Sequence, residues 1–381
     1  MLIKAVVPLL FALATITAGA DGPDFSYGDA HFSTDYFRAV YNASNNCVVS
    51  PLSVRLAMAA FYEVSGVATE ETVQRAFYLP VLKSLAIENA ASLLEEIGTS
   101  QQLKVAFKVL KKQNSLSDEF TETLGKVFKI SPKNFEERSS VLHSVNSLAS
   151  LVSSGPHRNL LREDDLNSNA EMILLNAVAL RVSWAERFPI GETKRQVFAF
   201  RDGPREVDMM HETVEVLYKS DTNYHAIQIP FSEESDLTMW IFVPRGSGNF
   251  FSLMKSLSAT LLEDMETTAV PETVDVSLPR FEIRSNHGTR TVIDKLGYGQ
   301  LFKDIDFSTF KGRKSGLSEL VQSAALKVDE KGTHSPGAAT PAVAQNRAEN
   351  TKFVADQPFV FIVKKISTDT IILIGHYSNY N

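Results

Sequence analysis

Cysteine is nearly absent: Cys47 is the only one in 381 residues, so no intramolecular disulfide can hold this chain and its stability must come from packing. Catalytic signatures are missing as well. Gly-x-Ser-x-Gly does not occur, which leaves a hydrolase of that type without a nucleophile to place. His-Glu-x-x-His is also absent, and His31, His143, His157, His211, His225, His287, His334 and His376 show no metal-ligand spacing. No excess of positive charge exists: 38 Lys plus Arg face 45 Asp plus Glu, a net −7, which excludes a basic nucleic-acid coat. Past residue 20 there is no run of about eighteen apolar residues, so no membrane-spanning helix is expected. No repeat of roughly twenty to fifty residues divides the chain.

What is present is a core. Hydrophobic residues make up 44% of the chain and 24 of them are Phe, which excludes wholesale disorder. The first twenty residues place Lys4 before an apolar run and end in Ala18-Gly19-Ala20. That pattern predicts a signal peptide over 1–20, and hence a secreted, extracellular protein of residues 21–381. In an exported chain Asn42-Ala43-Ser44, the only Asn-x-Ser/Thr sequon, predicts a glycan on Asn42. Cys47 lies in the apolar run Asn46-Cys47-Val48-Val49 and is expected to be packed rather than reactive.

Helical spacing links Phe32, Tyr36, Phe37, Val40 and Tyr41, and Ser50-Pro51 reads as the cap and first turn of a second helix. Helical patterns continue to about Leu94, and another is expected over Val141–Val152. Residues 172–182 read as a strand buried on both faces, central in a large sheet. Strands are expected over 105–110, 214–218, 226–230, 237–243 and 274–283, with helices near 250–265 and 287–297. Residues 359–363 and 370–374 predict a C-terminal hairpin. The class is α+β, in one domain.

Gly332 to Lys352 breaks this pattern. It holds five Ala, three Thr, two Gly, two Pro and one Ser, no aromatic residue, and Val343 as its only large aliphatic side chain. A segment so poor in apolar surface cannot bury a core, and a loop this long inside a compact domain points to a function. Its single Arg347, followed by the small Ala348, would offer a trypsin-like protease a bond to cut if the segment is exposed and extended.

Other candidates carry less. Gly297-Tyr298-Gly299 follows a helical stretch rather than a strand, unlike a dinucleotide fingerprint. Asp329 and Glu330 are neighbours on a strand's end, where side chains point to opposite faces and charges are expected to be solvated. Lys104, Lys108, Lys111 and Lys112, with Lys311, Arg313 and Lys314, are the densest basic clusters; a sulfated glycosaminoglycan is the partner they would suit, but the acidic net charge and the interleaved Glu95 and Glu96 favour a solvated face.

Taken together, the motifs resemble the serpin family over nearly the whole mature chain. Asn46-Cys-Val-Val-Ser-Pro-Leu-Ser-Val54 is similar to an early family segment, and Asn176-Ala-Val-Ala-Leu-Arg-Val-Ser-Trp184 with Phe188 to a central block. Leu278-Pro-Arg-Phe281, Val328-Asp-Glu-Lys-Gly-Thr333 and Phe353-Val-Ala-Asp-Gln-Pro-Phe359 follow in the family's order. The resemblance implies a single-domain serpin fold of three β-sheets and eight or nine helices, with an exposed reactive loop at about 332–352. It also implies no enzyme, no cofactor and no metal, but a monomer that inhibits a serine endopeptidase as a suicide substrate. On this pattern the cut loop inserts as a new strand of the largest sheet.

Insertion requires small side chains on the inward face of the entering strand. Glu330, Gly332, Thr333, Ser335, Gly337 and Ala339 form the expected hinge, and Pro341 and Val343 continue the inward set. Pro336 and Pro341 depart from the inhibitory pattern, because a proline in a central strand lacks its N–H; the two together cost about 2 kcal/mol plus strain. The alternative implied by these prolines is a non-inhibitory serpin acting as an extracellular binding or signalling protein. Counting forward from Gly332 puts the scissile bond after Asn346, whereas counting back from Phe359 gives Arg347-Ala348; Arg347 suits the carboxylate in a trypsin-like primary pocket.

Overall fold

The computed structural model describes residues 28–100, 102–112, 116–134, 142–143, 172–232, 235–245, 249–302, 319–332 and 350–380. Eight α-helices occur among them: α1 (Asp29–Val40), α2 (Pro51–Glu63), α3 (Val67–Ala76), α4 (Lys83–Thr99), α5 (Asp118–Lys126), α6 (Phe250–Ser256), α7 (Ala259–Thr268) and α8 (Thr289–Lys295). The expected helix over 141–152 lies outside the described residues, apart from 142–143.

Among the described residues five strands make one sheet, in the order β10 (Phe281–Gly288), β11 (Glu319–Val328), β4 (Met172–Leu180), β2 (Leu103–Lys111) and β3 (Lys133–Asn134). Nine make the other. Its path runs β1 (Cys47–Val49), β14 (Thr370–Tyr377), β13 (Phe359–Lys365), β8 (Leu237–Pro244), β7 (Tyr224–Pro230), β6 (Gly203–Ser220), β9 (Val270–Pro279) and β12 (Thr351–Val354), with β5 (Lys194–Phe200) also on β6. The third sheet implied by the resemblance is continuous with its neighbour here. The eighteen-residue β6 pairs with β9 along Met209–Tyr218 and with β7 only at Leu217–Ser220, so one strand serves both parts.

The single strand expected over 274–283 is two, β9 and β10, which part at Arg280 and enter different sheets. The C-terminal hairpin forms as β13 and β14. As read from sequence, β4 is buried at every position.

Helix α2 is buried from Pro51 to Tyr62 and packs against both β14 and β4, so it forms the hub between the sheets. Ser50 caps it, its Oγ accepting from Ser53 N at 3.4 Å, with Pro51 at the first position. Such a hub can contain a charge only if every bond is satisfied. Arg55, at 0% exposure, donates from Nε to Phe77 O (3.0 Å), from Nη1 to Asp29 Oδ1 (3.0 Å) and from Nη2 to Tyr78 O (2.8 Å). Asp29 Oδ2 accepts from Ile371 N at 2.7 Å, so one ion pair ties α1 and α2 to β14.

Candidate functional site: a hinge above a parallel seam

β11 and β4 are parallel and bonded directly to each other, in register from Glu319 opposite Ile173 to Ala325 opposite Ala179. Parallel neighbours require a connection that crosses back over the sheet. At the middle of this seam Gln322 stands opposite Asn176. The Gln322 side chain is fully used: Oε1 accepts from Ser50 N (3.0 Å), and Nε2 donates to Ser50 O (2.6 Å) and Ser53 Oγ (2.8 Å), fastening the seam to the cap of α2. Asn176 is as deeply buried, yet neither its Oδ1 nor its Nδ2 finds a partner among the described residues.

Past Val328 the chain turns tightly. Asp329 N donates to Gly332 O at 3.0 Å and Gly332 N to Asp329 O at 3.1 Å, while Gly332 also bridges Ser183 on the other side. Gly332 has φ +117°, and a Cβ there would lie 2.3 Å from Val182 O, so no other residue fits. Trp184 closes the turn from β4's side. Its backbone N–H bonds Lys331 O at 3.1 Å, its indole N–H bonds Asp329 O at 2.9 Å, and its ring stacks on Phe231 at 4.7 Å.

Glu330 corrects the expectation of solvated charges at this strand end. It is 4% exposed, and its carboxylate accepts from Arg280 Nε (2.6 Å), from Arg280 Nη2 and from Thr193 Oγ1 (2.5 Å). Burial pushes the Glu330 carboxyl up, but the bonds from Arg280 and Thr193 outweigh it and hold the group below the usual range. Neither partner was visible in sequence. Arg280 comes beside Glu330 through the β10–β11 register, in which Phe281 faces Val328.

Seventeen residues, 333–349, separate this hinge from Asn350. Thr333, Ser335, Pro336, Gly337, Ala339, Pro341, Val343, Asn346, Arg347 and Ala348 all lie outside the described residues. The far anchor is described. Asn350 Nδ2 donates to Asp275 Oδ1 at 2.9 Å, Thr351 Oγ1 donates to Glu272, and β12 runs parallel to β9 from Thr351 opposite Val274. Phe353 is fully buried there against His225, with ring centroids 4.6 Å apart.

The geometry is thus a long segment, poor in bulky residues, held at a glycine hinge on one sheet and at an edge strand of the other. A family model described as Serpin (serine protease inhibitor) matches residues 28–380. This chain belongs to the serpin family. A leukocyte elastase inhibitor of Xenopus tropicalis is 24% identical over 374 residues, covering 92% of this chain and 97% of that protein. The solved structure of the serpin SRPN18 from Anopheles gambiae matches with TM-score 0.81 and 25% identity over 93% of this chain and 97% of that one. Human thyroxine-binding globulin complexed with thyroxine shares the fold at TM-score 0.81 and 19% identity, covering 93% and 99% of the two chains.

The remaining sequence candidates of this serpin are dispersed. Asn42 is exposed just past α1, with Oδ1 accepting from Ser44 N at 3.0 Å. On β2, Lys104 and Lys108 share one face and Lys111 takes the other, so the basic run does not make one patch; Lys311, Arg313 and Lys314 lie outside the described residues. Cys47 is buried as expected, its Sγ 3.5 Å from His287 Nε2, and burial pushes its thiol up to about 12. No group of His, Cys, Asp or Glu among the described residues could hold a metal.

Proposed function

We propose that this serpin is a secreted inhibitor of a trypsin-like serine endopeptidase, with Arg347-Ala348 as its bait and residues 332–343 as the strand that enters the sheet. The observation that carries the reading is the parallel seam between β4 and β11 with Gly332 bridged at its head to both sides. A strand antiparallel to both could pair with each if the two parted, and Gly332 is itself bridged in antiparallel sense to Asp329 and to Ser183. Attack at Arg347 would join the protease serine to the Arg347 carbonyl as an ester and release the amine of Ala348. Entry of the freed strand would then carry the acylated protease away from Ala348 before water cleaves the ester.

The leukocyte elastase inhibitor among its relatives supports inhibition, and the bonds from Arg280 and Thr193 to Glu330 hold the head of the hinge in place. Export follows from the N-terminal pattern and would allow glycosylation at the exposed Asn42. Mixing the protein with trypsin and separating the products under denaturing conditions should yield a covalent band at the summed mass. Recovery of clipped protein alone would contradict inhibition, and Arg347→Glu should abolish the band.

Pro336 and Pro341 favour a second reading, a non-inhibitory carrier or signalling protein on the same fold; thyroxine-binding globulin shows that the fold can hold a small molecule. In that case cleavage would leave the melting temperature unchanged.

A further inference from the structure

The sequon asparagine stands beside an exposed ring. Asn42 lies in the turn that follows α1, where its Oδ1 accepts from Ser44 N at 3.0 Å. Such a bond from side chain to backbone holds the carboxamide in one orientation. Its Nδ2, the atom that would carry an N-linked sugar, has no partner among the described residues, and the residue is exposed.

The residues after β14 are laced to this turn. Asn46 Oδ1 accepts from Ser378 N (2.7 Å) and Asn379 N (2.9 Å), and Asn46 Nδ2 donates to Asn379 O (2.7 Å). Asn379 Nδ2 in turn donates to Ala43 O at 3.2 Å, one residue from the sequon asparagine. Tyr380 is therefore carried to the side of the turn, where it is 50% exposed although Ser378 and Asn379 before it are buried. The segment after β5 joins the same corner: Arg201 N donates to Ser378 O (3.0 Å) and Arg201 Nη1 to the Tyr41 hydroxyl (2.5 Å).

The Tyr380 ring is held before anything settles on it. Phe200 meets it at 76° with centroids 5.4 Å apart, and the Arg205 guanidinium lies over it at 5.8 Å. A ring fixed in this way loses little rotamer freedom when a second flat group packs against it. The pyranose ring of N-acetylglucosamine is such a group, because its axial C–H bonds form an apolar, slightly positive face that suits the negative face of an aromatic ring. Arg201 and Arg205 flank the place with N–H donors for the sugar's hydroxyl and acetamide oxygens.

We propose that Tyr380 is a shelf for the first N-acetylglucosamine of a glycan on Asn42, so that the sugar clasps the turn after α1 to the segment after β14. The shelf rests on the reading that the chain is exported and glycosylated. The sugar reaches it from the neighbouring turn without crossing any other element, since Ala43 and Asn379 are already bonded.

The test uses the full chain secreted from cells that add only oligomannose glycans, trimmed with endoglycosidase H to a single N-acetylglucosamine. In proton NMR the acetamide methyl of that sugar should lie upfield of its position in the urea-unfolded protein, displaced by the ring current of Tyr380. Tyr380→Phe should keep the displacement and Tyr380→Ala should abolish it. Stability is read as a cycle: Asn42→Gln should lower the melting temperature by about 1–2 °C in the wild-type background and leave it unchanged in Tyr380→Ala. A trimmed sugar whose methyl is not displaced, with an additive cycle, overturns the shelf and leaves glycosylation standing. Absence of any sugar on Asn42 in the secreted protein overturns the glycosylation reading and the shelf with it.

Discussion

At the scale of single residues, buried charge decides most. Arg55 has no solvent to fall back on, and replacing it with Met would strand the Asp29 carboxylate in the hub between the sheets. Losing one member of a buried pair costs about 3–5 kcal/mol, so the urea midpoint of Arg55→Met should fall sharply. Glu330→Ala should cost less, about 2 kcal/mol, because the Arg280 side chain is 38% exposed and can turn to water. Its more telling effect belongs to the hinge: proteolysis between Gly332 and Asn350 should quicken as the turn loosens. Asn176 predicts the opposite sign. Two polar atoms with no partner among the described residues sit in a buried place, so Asn176→Leu, of similar volume, should stabilise the intact protein by about 1 kcal/mol or more in the same denaturation assay. An unchanged or lower midpoint would show that Asn176 has a partner after all.

At the scale of elements, legibility followed the range of the interaction. Helix α2 could be read because Ser50 and Pro51 act within one turn, and the C-terminal hairpin because its strands are joined by a short polar turn. β4 declared itself through an unbroken apolar run that only a doubly covered strand tolerates. Alternation alone could not show that the stretch 274–283 divides at Arg280, since both halves carry a strand pattern and the break depends on which sheet each joins. β5 went unread because its exposed Lys194 and Arg195 mask a strand whose burial begins only at Phe198. At the candidate site, the hinge glycine was visible as a residue type, whereas Arg280, Thr193 and Gln322 acquire their roles through register and crossover. Pairings separated by tens to hundreds of residues leave no periodic trace in the chain.

At the scale of the whole molecule, acidity acts on histidines distributed through the fold. Burial pushes His287 and His225 down to about 4 and His376 to about 3, with Arg245 adding to the effect at His225 and Arg201 at His376. A folded pKa below the unfolded value of about 6.5 means the unfolded chain binds the proton first. Stability is therefore full above that value and drains as pH falls from about 6.5 toward 4, with His376 and His287 each removing up to about 1.4 kcal/mol per pH unit. Urea midpoints measured between pH 7 and pH 4.5 should fall steadily, and His287→Gln should flatten the slope; a constant midpoint would show these rings to be solvated. Cys47 is shielded by the same core, so iodoacetamide should leave the native protein unlabelled and react on unfolding.

The five-stranded sheet is closed by direct pairing of β4 with β11, with Gly332 bridged to Asp329 and Ser183 at the head of that pairing. The proposed inhibition requires the closed seam to take up an extra strand once the loop is cut. Comparing the melting temperature of intact protein with that of protein nicked at Arg347 and left unseparated tests this directly. An inserted strand of about ten residues, bonded on both sides, should raise the transition by on the order of 10 °C or more. Coincident melting curves before and after the cut would contradict insertion.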